Sequence, residues 1–497
     1  MKRATPQKIS PPLILLLVLL SIAFNSLAAN YKVGPGEVFL TPDTINWSLI
    51  KPGDVITIQP GTYSTSQGGS SMTISGVAGS AASPIVINAL AGQMPKLLNG
   101  IVITNAAKHI VIDGLDVTRN PQAQQYAAIV VNGGSSNITL SHLNVHDSYV
   151  GINVDQSGLD NKIYSNYIYG NLYHGITLGA PAAEITPAAN SQSATFNSVY
   201  NNGAHGIEVI GPYWNVSHNK LKLNGASNTG GTSGIHLFST GSAINASGRC
   251  NNNVVSYNYV SQQIDTVAAD GNGIQIDDFC DNNTITFNVV WQNDGAGISL
   301  LTGSGNKIIS NTSYSNARDA NRISQYPGVI VGEIILSSRA TLCDNPYVNP
   351  AYCNVPSGRA SNNTIYNNIA YSSKPAAPGL NVAQDFYDAS RNSNNIYPNF
   401  YYNTFTGVNL IWGSSSHYTA TEIDNVTGLS AQGGGNIVEV PGFANASNPG
   451  PDGVGSNGLK LSVAPSKQGW IVNPAVPDML GVLPTSSTYY FGAYYYP

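Results

Sequence analysis

A coil of short β-strands stacked along one axis is the architecture this sequence predicts, and two interleaved repeats predict it. Asparagines recur in one local frame at Asn166, Asn197, Asn219, Asn258, Asn288, Asn311 and Asn368, three residues after Ile163, Ala194, Val216, Val255, Ile285, Ile308 and Ile365 respectively. Between them runs a Gly-Ile-x-(Val/Leu/Ile) unit at Gly151, Gly175, Gly206, Gly234, Gly273 and Gly297, at intervals of 24, 31, 28, 39 and 24 residues. Such periods mark a solenoid, in which one repeat has no core of its own and buries its apolar side on its neighbours. The asparagines read first as structure: a turn asparagine tolerates left-handed backbone geometry, and its side chain can bond its equivalent one rung away.

The elements follow in chain order. Lys2, Arg3 and Lys8, an apolar run from Leu13 to Phe24 and the small-residue site Ser26-Leu27-Ala28 form a secretory signal over residues 1–28. The run is too short to span a bilayer comfortably, so the mature chain is expected to start near Ala29, exported to the periplasm or beyond, soluble and monomeric. Removing those three residues from 21 basic ones leaves 18 against 26 acidic, a net charge of −8 without basic runs, which gives nucleic acid no footing. Residues 41–50 read as an amphipathic capping helix with Ile45, Leu49 and Ile50 on one side, a plug for the open end of the coil. Strands follow at Pro84–Ala89, Ile101–Thr104 and His109–Val117, with Asp113-Gly114-Leu115 as a bend. Regular rungs run from about Asn137 to Asn311, an insertion spans about 318–360, and the period resumes at Asn362 and again at Asn394. One domain over 29–407 is expected, with a C-terminal cap over 408–497.

Four cysteines in an exported chain suggest disulfides. Cys250 and Cys280 hold the same place in consecutive repeats, so their strands should stack about 4.8 Å apart, within bonding range. Cys343 and Cys353 would close a short loop inside the insertion. No histidine stands at ligand spacing near either pair, so no metal is expected there.

The run Lys51-Pro52-Gly53-Asp54-Val55-Ile56-Thr57-Ile58-Gln59-Pro60-Gly61-Thr62-Tyr63, with the Asn-x-Ile-x-x-Asn and Gly-Ile-x-Leu units, resembles the right-handed parallel β-helix of the pectate-lyase-like superfamily. The resemblance covers roughly residues 33–407. It implies an all-β solenoid, and a superfamily of polysaccharide lyases, glycoside hydrolases, uronan epimerases and non-catalytic modules.

In each Gly-Ile-x-Leu unit the third residue points away from the core, which aligns Asn153, Thr177, Glu208, His236, Gln275 and Ser299 as a solvent-facing column. Two residues on, the same face offers Asp155, Gly179, Ile210, Phe238, Asp277 and Leu301. Long connections at 180–192, 221–233, 239–249 and 262–272 would wall a groove over the middle rungs, suited to an extended glycan. Tyr173, Tyr213, Trp214, Phe238, Phe279 and Trp291 are candidate stacking faces.

The leading expectation is glycoside hydrolysis by paired carboxylates, with Glu208 and Asp277 or Asp278 as the catalytic pair, His236 between them, and no cofactor. His174, His205, Gln275, Asn153, Thr177, Ser299, Phe238 and Arg249 are the candidate substrate contacts. Ala204-His205-Gly206 and Asp277-Asp278 resemble, in part, polygalacturonase elements. The rival is a polysaccharide lyase acting on a uronic-acid polymer, which the resemblance implies would use lysine or arginine, with Ca2+. No column position is basic, and Lys220, Lys222, Arg249 and Lys307 are the nearest such residues. A glycan-binding or purely structural solenoid is the third alternative. Asp270 and Asp294, each three residues before its glycine, either shape turns or share a cation.

Overall fold

The computed structural model describes residues 28–496 except 66–68, 122–126, 181–191, 228–230, 240–249, 267–269, 278, 302, 320–330, 337–359, 374–380, 387–393, 405, 413–414, 433–434, 451–456, 470–475 and 486–489, with backbone alone at 331, 381–386 and 431–432. The secretory signal, Cys343, Cys353, Arg249 and Asp278 thus lie outside the described residues.

Each turn of the coil lays one strand on each of three faces, for example Lys162–Tyr164, Tyr167–Tyr169 and Ile176–Leu178. The three sheets have 13 strands each and pair in parallel, save a closing hairpin in which Leu410–Trp412 meets Ser415–His417 antiparallel. Inward positions alternate with outward ones, as strand geometry requires. Ile163, Ala194, Val216, Val255, Ile285, Ile308 and Ile365 pair rung by rung along the first sheet and are fully buried. The repeated glycines are demanded by close approach: a Cβ on Gly175 or Gly206 would stand 2.6 or 2.7 Å from the carbonyl oxygen of the glycine one rung on.

The asparagine ladder is continuous. From Asn166 to Asn399 each Nδ2 donates to the next Oδ1 at 3.0 Å, and each side chain is buried. One part of the expectation is corrected. The left-handed residue is the one before each asparagine, Ser165, Phe196, His218, Tyr257, Phe287, Ser310 and Asn367, with φ between 53° and 59°. That reversal swings the asparagine inward, where its Oδ1 takes the backbone N–H of the preceding rung's asparagine, as Asn288 does for Asn258 at 3.0 Å. Parallel ladders run at the other two corners, through Asn171, Asn202, Asn224 and Gln263 and through Asn283, Asn306, Asn363 and Asn394. The outward-turned residues stack in their own column, Phe196, His218, Tyr257 and Phe287, with centroids 4.7 to 5.3 Å apart.

Cys250 and Cys280 are bonded, their Cα atoms 4.9 Å apart, both fully buried. The expected 318–360 insertion contains a regular strand, Val331–Leu336, paired with Ile298–Leu300. It escapes the sequence pattern because Glu333 stands where the repeat has glycine. The capping helix expected over 41–50 is instead two 3-10 turns, Pro42–Thr44 and Trp47–Leu49. Pro42 starts the first and Ile45 breaks to extended backbone, so Ile45 and Ile50 still reach the core while Leu49 is exposed.

At the far end, the helix Ala420–Val426 inserts Ile423 into the core, and Asp424 ends the asparagine ladder by accepting from Asn436 at 2.6 Å. The chain then returns as a strap along the outside of the third sheet. Tyr490 and Tyr495 pack on Phe287 and Ile309, Tyr494 and Leu459 on Val289 and Trp291, and Phe491 on Ile369 and Phe400.

Candidate functional site

The second sheet carries the site. Its strands pair Asn153 with Thr177, Thr177 with Glu208, Glu208 with His236, His236 with Gln275, and Gln275 with Ser299, so the aligned column exists in register. Its exposure does not follow the expectation. His236, Gln275, Asp277 and Ser299 are buried, and Glu208 keeps 13% of its side chain exposed. These residues are drawn together by polar contacts along the column. Gln275 accepts from Ser233 Oγ at 2.6 Å and Asn272 Nδ2 at 2.8 Å, and its own amide reaches Asp277 at 3.2 Å and Asp270 at 3.4 Å.

A second column, one residue before each glycine, was only half legible. It holds His174, His205, Ser233 and Asn272. His174 and His205 stack 4.9 Å apart, and His205 lies 4.1 Å from His236. The backbone N–H of His205 donates to Nδ1 of His174 at 3.3 Å, and that of Ser233 to Nδ1 of His205 at 2.9 Å. An Nδ1 that accepts leaves the proton of the neutral ring on Nε2. His174 spends that proton on Glu208, with Nε2 at 3.0 Å from Oε2. The signal in the sequence is the shared placing of Tyr173-His174-Gly175 and Ala204-His205-Gly206 on consecutive rungs.

The electrostatics sort these groups. Burial holds the His205 imidazole well below its ordinary value, reinforced by His236 and His174. Burial pushes the Glu208 carboxyl up, but His174 and then His236 outweigh it, and the net lies below the ordinary glutamate value. His236 moves the other way. Burial opposes its charge, yet Asp277, Glu208 and Asp270 raise it above the ordinary histidine value. Asp277 Oδ2 stands 3.7 Å from His236 Nε2, an ion-pair distance, and neither ring nitrogen has a hydrogen bond among the described residues.

Ligand atoms of His205, Glu208 and His236 lie within 4.8 Å of one another, a spacing at which a cation can be held. The Ser233 N–H facing Nδ1 of His205 argues against that use, since a metal on Nε2 would require the proton on Nδ1.

Other candidates separate. Trp214 is buried and donates Nε1 to the Gly179 carbonyl at 3.2 Å, and Trp291 belongs to the third sheet; neither faces this column. Phe238 stacks on His236 at 5.4 Å, and Tyr173 on Tyr149 at 5.4 Å. Asp294 accepts the Asp265 N–H, which is turn duty. Lys220 and Lys222 lie on the third sheet and Lys307 on the first.

A family model described as a right handed beta helix region matches residues 96–249. Together with the three stacked parallel sheets, this decides the fold. The chain is a right-handed parallel β-helix. Among solved structures, this β-helix is similar to a lacto-N-biosidase from Eubacterium ramulus at 14% identity, with TM-score 0.48, covering 74% of this chain and 68% of that one. It is also similar to the A-module of a mannuronan C-5 epimerase from Azotobacter vinelandii, at 13% identity, TM-score 0.46, 78% of this chain and 91% of that one. A pectate lyase follows at 14% identity and TM-score 0.39, over 71% and 78%. No curated protein matches the sequence significantly. Among the described residues no helix is long and apolar enough to cross a membrane.

Proposed function

We propose that this β-helix is an exported carbohydrate-active enzyme that hydrolyses an extended polysaccharide, with Glu208 and Asp277 as its carboxylate pair. The observation that carries this reading is two carboxylates flanking one buried imidazole: Glu208 pairs with His236 from the preceding rung, and Asp277, two residues past Gln275 on the following rung, comes within 3.7 Å of its Nε2. Glu208, kept ionised by His174, is the base that takes a proton from the attacking water. The His236–Asp277 pair holds the proton delivered to the glycosidic oxygen, since Asp277 and Glu208 favour the charged imidazole. Two rungs of spacing, about 10 Å between the backbones before side-chain reach, favour inversion of the anomeric centre over retention. His205 offers its Nε2–H as a donor to a sugar hydroxyl.

The test is incubation with neutral and uronic polysaccharides, following both reducing ends and the absorbance of unsaturated uronates. Hydrolysis releases reducing ends alone, and Glu208→Gln and Asp277→Asn each lower kcat by about 10²–10⁴-fold. Reducing ends accompanied by the absorbance would make the enzyme a lyase, for which a calcium requirement is then expected. No product from any polymer would leave a binding module.

A further inference from the structure

The outer face of the third sheet carries a second set of groups unrelated to the catalytic column. On the strand Lys220–Lys222, Leu221 points into the core and both lysines point out. They are flanked by Ser198 and Tyr200 on one rung and by Tyr259 and Ser261 on the next. Tyr167, Tyr200, Lys220, Lys222, Leu223, Tyr259 and Trp291 line a groove of about 340 Å³. Tyr167 is 55% exposed, and Tyr200 lies flat against Tyr169, with centroids 5.2 Å apart and planes 8° from parallel. The strap closes one end, where Tyr494 Oη meets Tyr259 Oη at 3.1 Å.

Neither lysine has an ion-pair partner among the described residues, although the chain has 26 acidic residues to 21 basic. On this face Asp116 and Asp147 are engaged with His146, and Asp478 of the strap, which acts on Tyr259 and Tyr494, is taken up by the backbone N–H groups of Leu480, Val482 and Tyr495. Unpaired cations beside flat rings call for a ligand that is anionic and has apolar faces. Two charges in an otherwise acidic protein are too few for nucleic acid, whose binding scales with the phosphates neutralised. An acidic polysaccharide fits: carboxylates meet the ammonium groups, and the C–H faces of the sugars lie on tyrosine.

We infer that this groove is a secondary binding site for an acidic glycan, separate from the catalytic sheet. It does not rest on the hydrolytic reading. The test uses full-length Asp277→Asn protein, so that turnover does not consume the probe, in native gels containing polygalacturonate or neutral dextran. Polygalacturonate should retard the protein and dextran should not. Lys220→Glu with Lys222→Glu should weaken binding about tenfold, and Lys220→Arg with Lys222→Arg should retain it. Added salt should weaken it as well. Equal retardation of the double glutamate variant, or equal retardation by dextran, would overturn the inference. Both variant sets alter exposed positions and, made with Asp277 intact, leave reducing-end release as an independent readout of the catalytic sheet.

Discussion

At the scale of single residues, His174 decides the state of Glu208. Its Nε2 stands 3.0 Å from the carboxylate and lowers the carboxyl against the upward push of burial. Replacing His174 with alanine removes that support, so the Glu208 pKa rises. A base must be ionised, so the acidic limb of the kcat/KM profile should move to higher pH, by about one unit. His174→Gln, which keeps a donor, should restore part of the shift, and an unmoved limb would remove Glu208 from the role of base. Glu333 is the second residue of this kind. It is fully buried, accepts from Asn316 and Ser313, and burial pushes it up to about 7. A carboxyl raised on folding stabilises the protein below its unfolded value, and that contribution is lost as pH rises towards 7. The loss amounts to about 3 kcal/mol. Glu333→Gln should flatten the pH dependence of the urea midpoint between about pH 4.5 and 7. Neither role was legible beforehand, because each depends on which side chain of another rung faces the group.

At the scale of the element, the rung is held by side chains that serve the backbone. Asn258 Oδ1 accepts both the N–H and the Nδ2 of Asn219, and its own Nδ2 donates to the Val216 carbonyl. Asn258→Ala leaves buried donors and an acceptor without partners and should cost about 2–4 kcal/mol, read from chemical denaturation. A cost under about 0.5 kcal/mol would mean that water replaces the ladder there. The Cys250–Cys280 bridge closes a sequence separation of 30 residues across adjacent rungs. Its removal by paired alanines should cost about 2–4 kcal/mol. Both features were readable in the sequence, since equal spacing in a solenoid is equal position in space. The strand Val331–Leu336 was not, because Glu333 replaces the glycine that marked its siblings.

For the whole molecule, the coil has two ends and one dressed side. The ends close with Phe39, Ile45 and Ile50 at the start and Ile423 at the finish. The strap dresses the third sheet, with contacts as remote in sequence as Tyr257 to the Pro477 carbonyl, a separation of 220 residues. Deleting residues 476–497 would uncover Phe287, Val289, Ile369 and Phe400, all buried in the intact chain. The truncated protein should bind a hydrophobic dye and unfold at lower urea, while an unchanged transition would make the strap dispensable.

What the sequence determined by itself is the coil: its period, the strand register, the neighbours of each rung and the first disulfide. These follow from short-range rules, the alternation of inward and outward side chains and the turn that ends each strand, repeated many times. Only the tertiary structure decided that His236 and Gln275 of the column are buried, that His174 and His205 join it from a neighbouring column, and that the C-terminal chain straps one face. Those outcomes depend on contacts between surfaces far apart in sequence, where no local pattern records which side chain meets which.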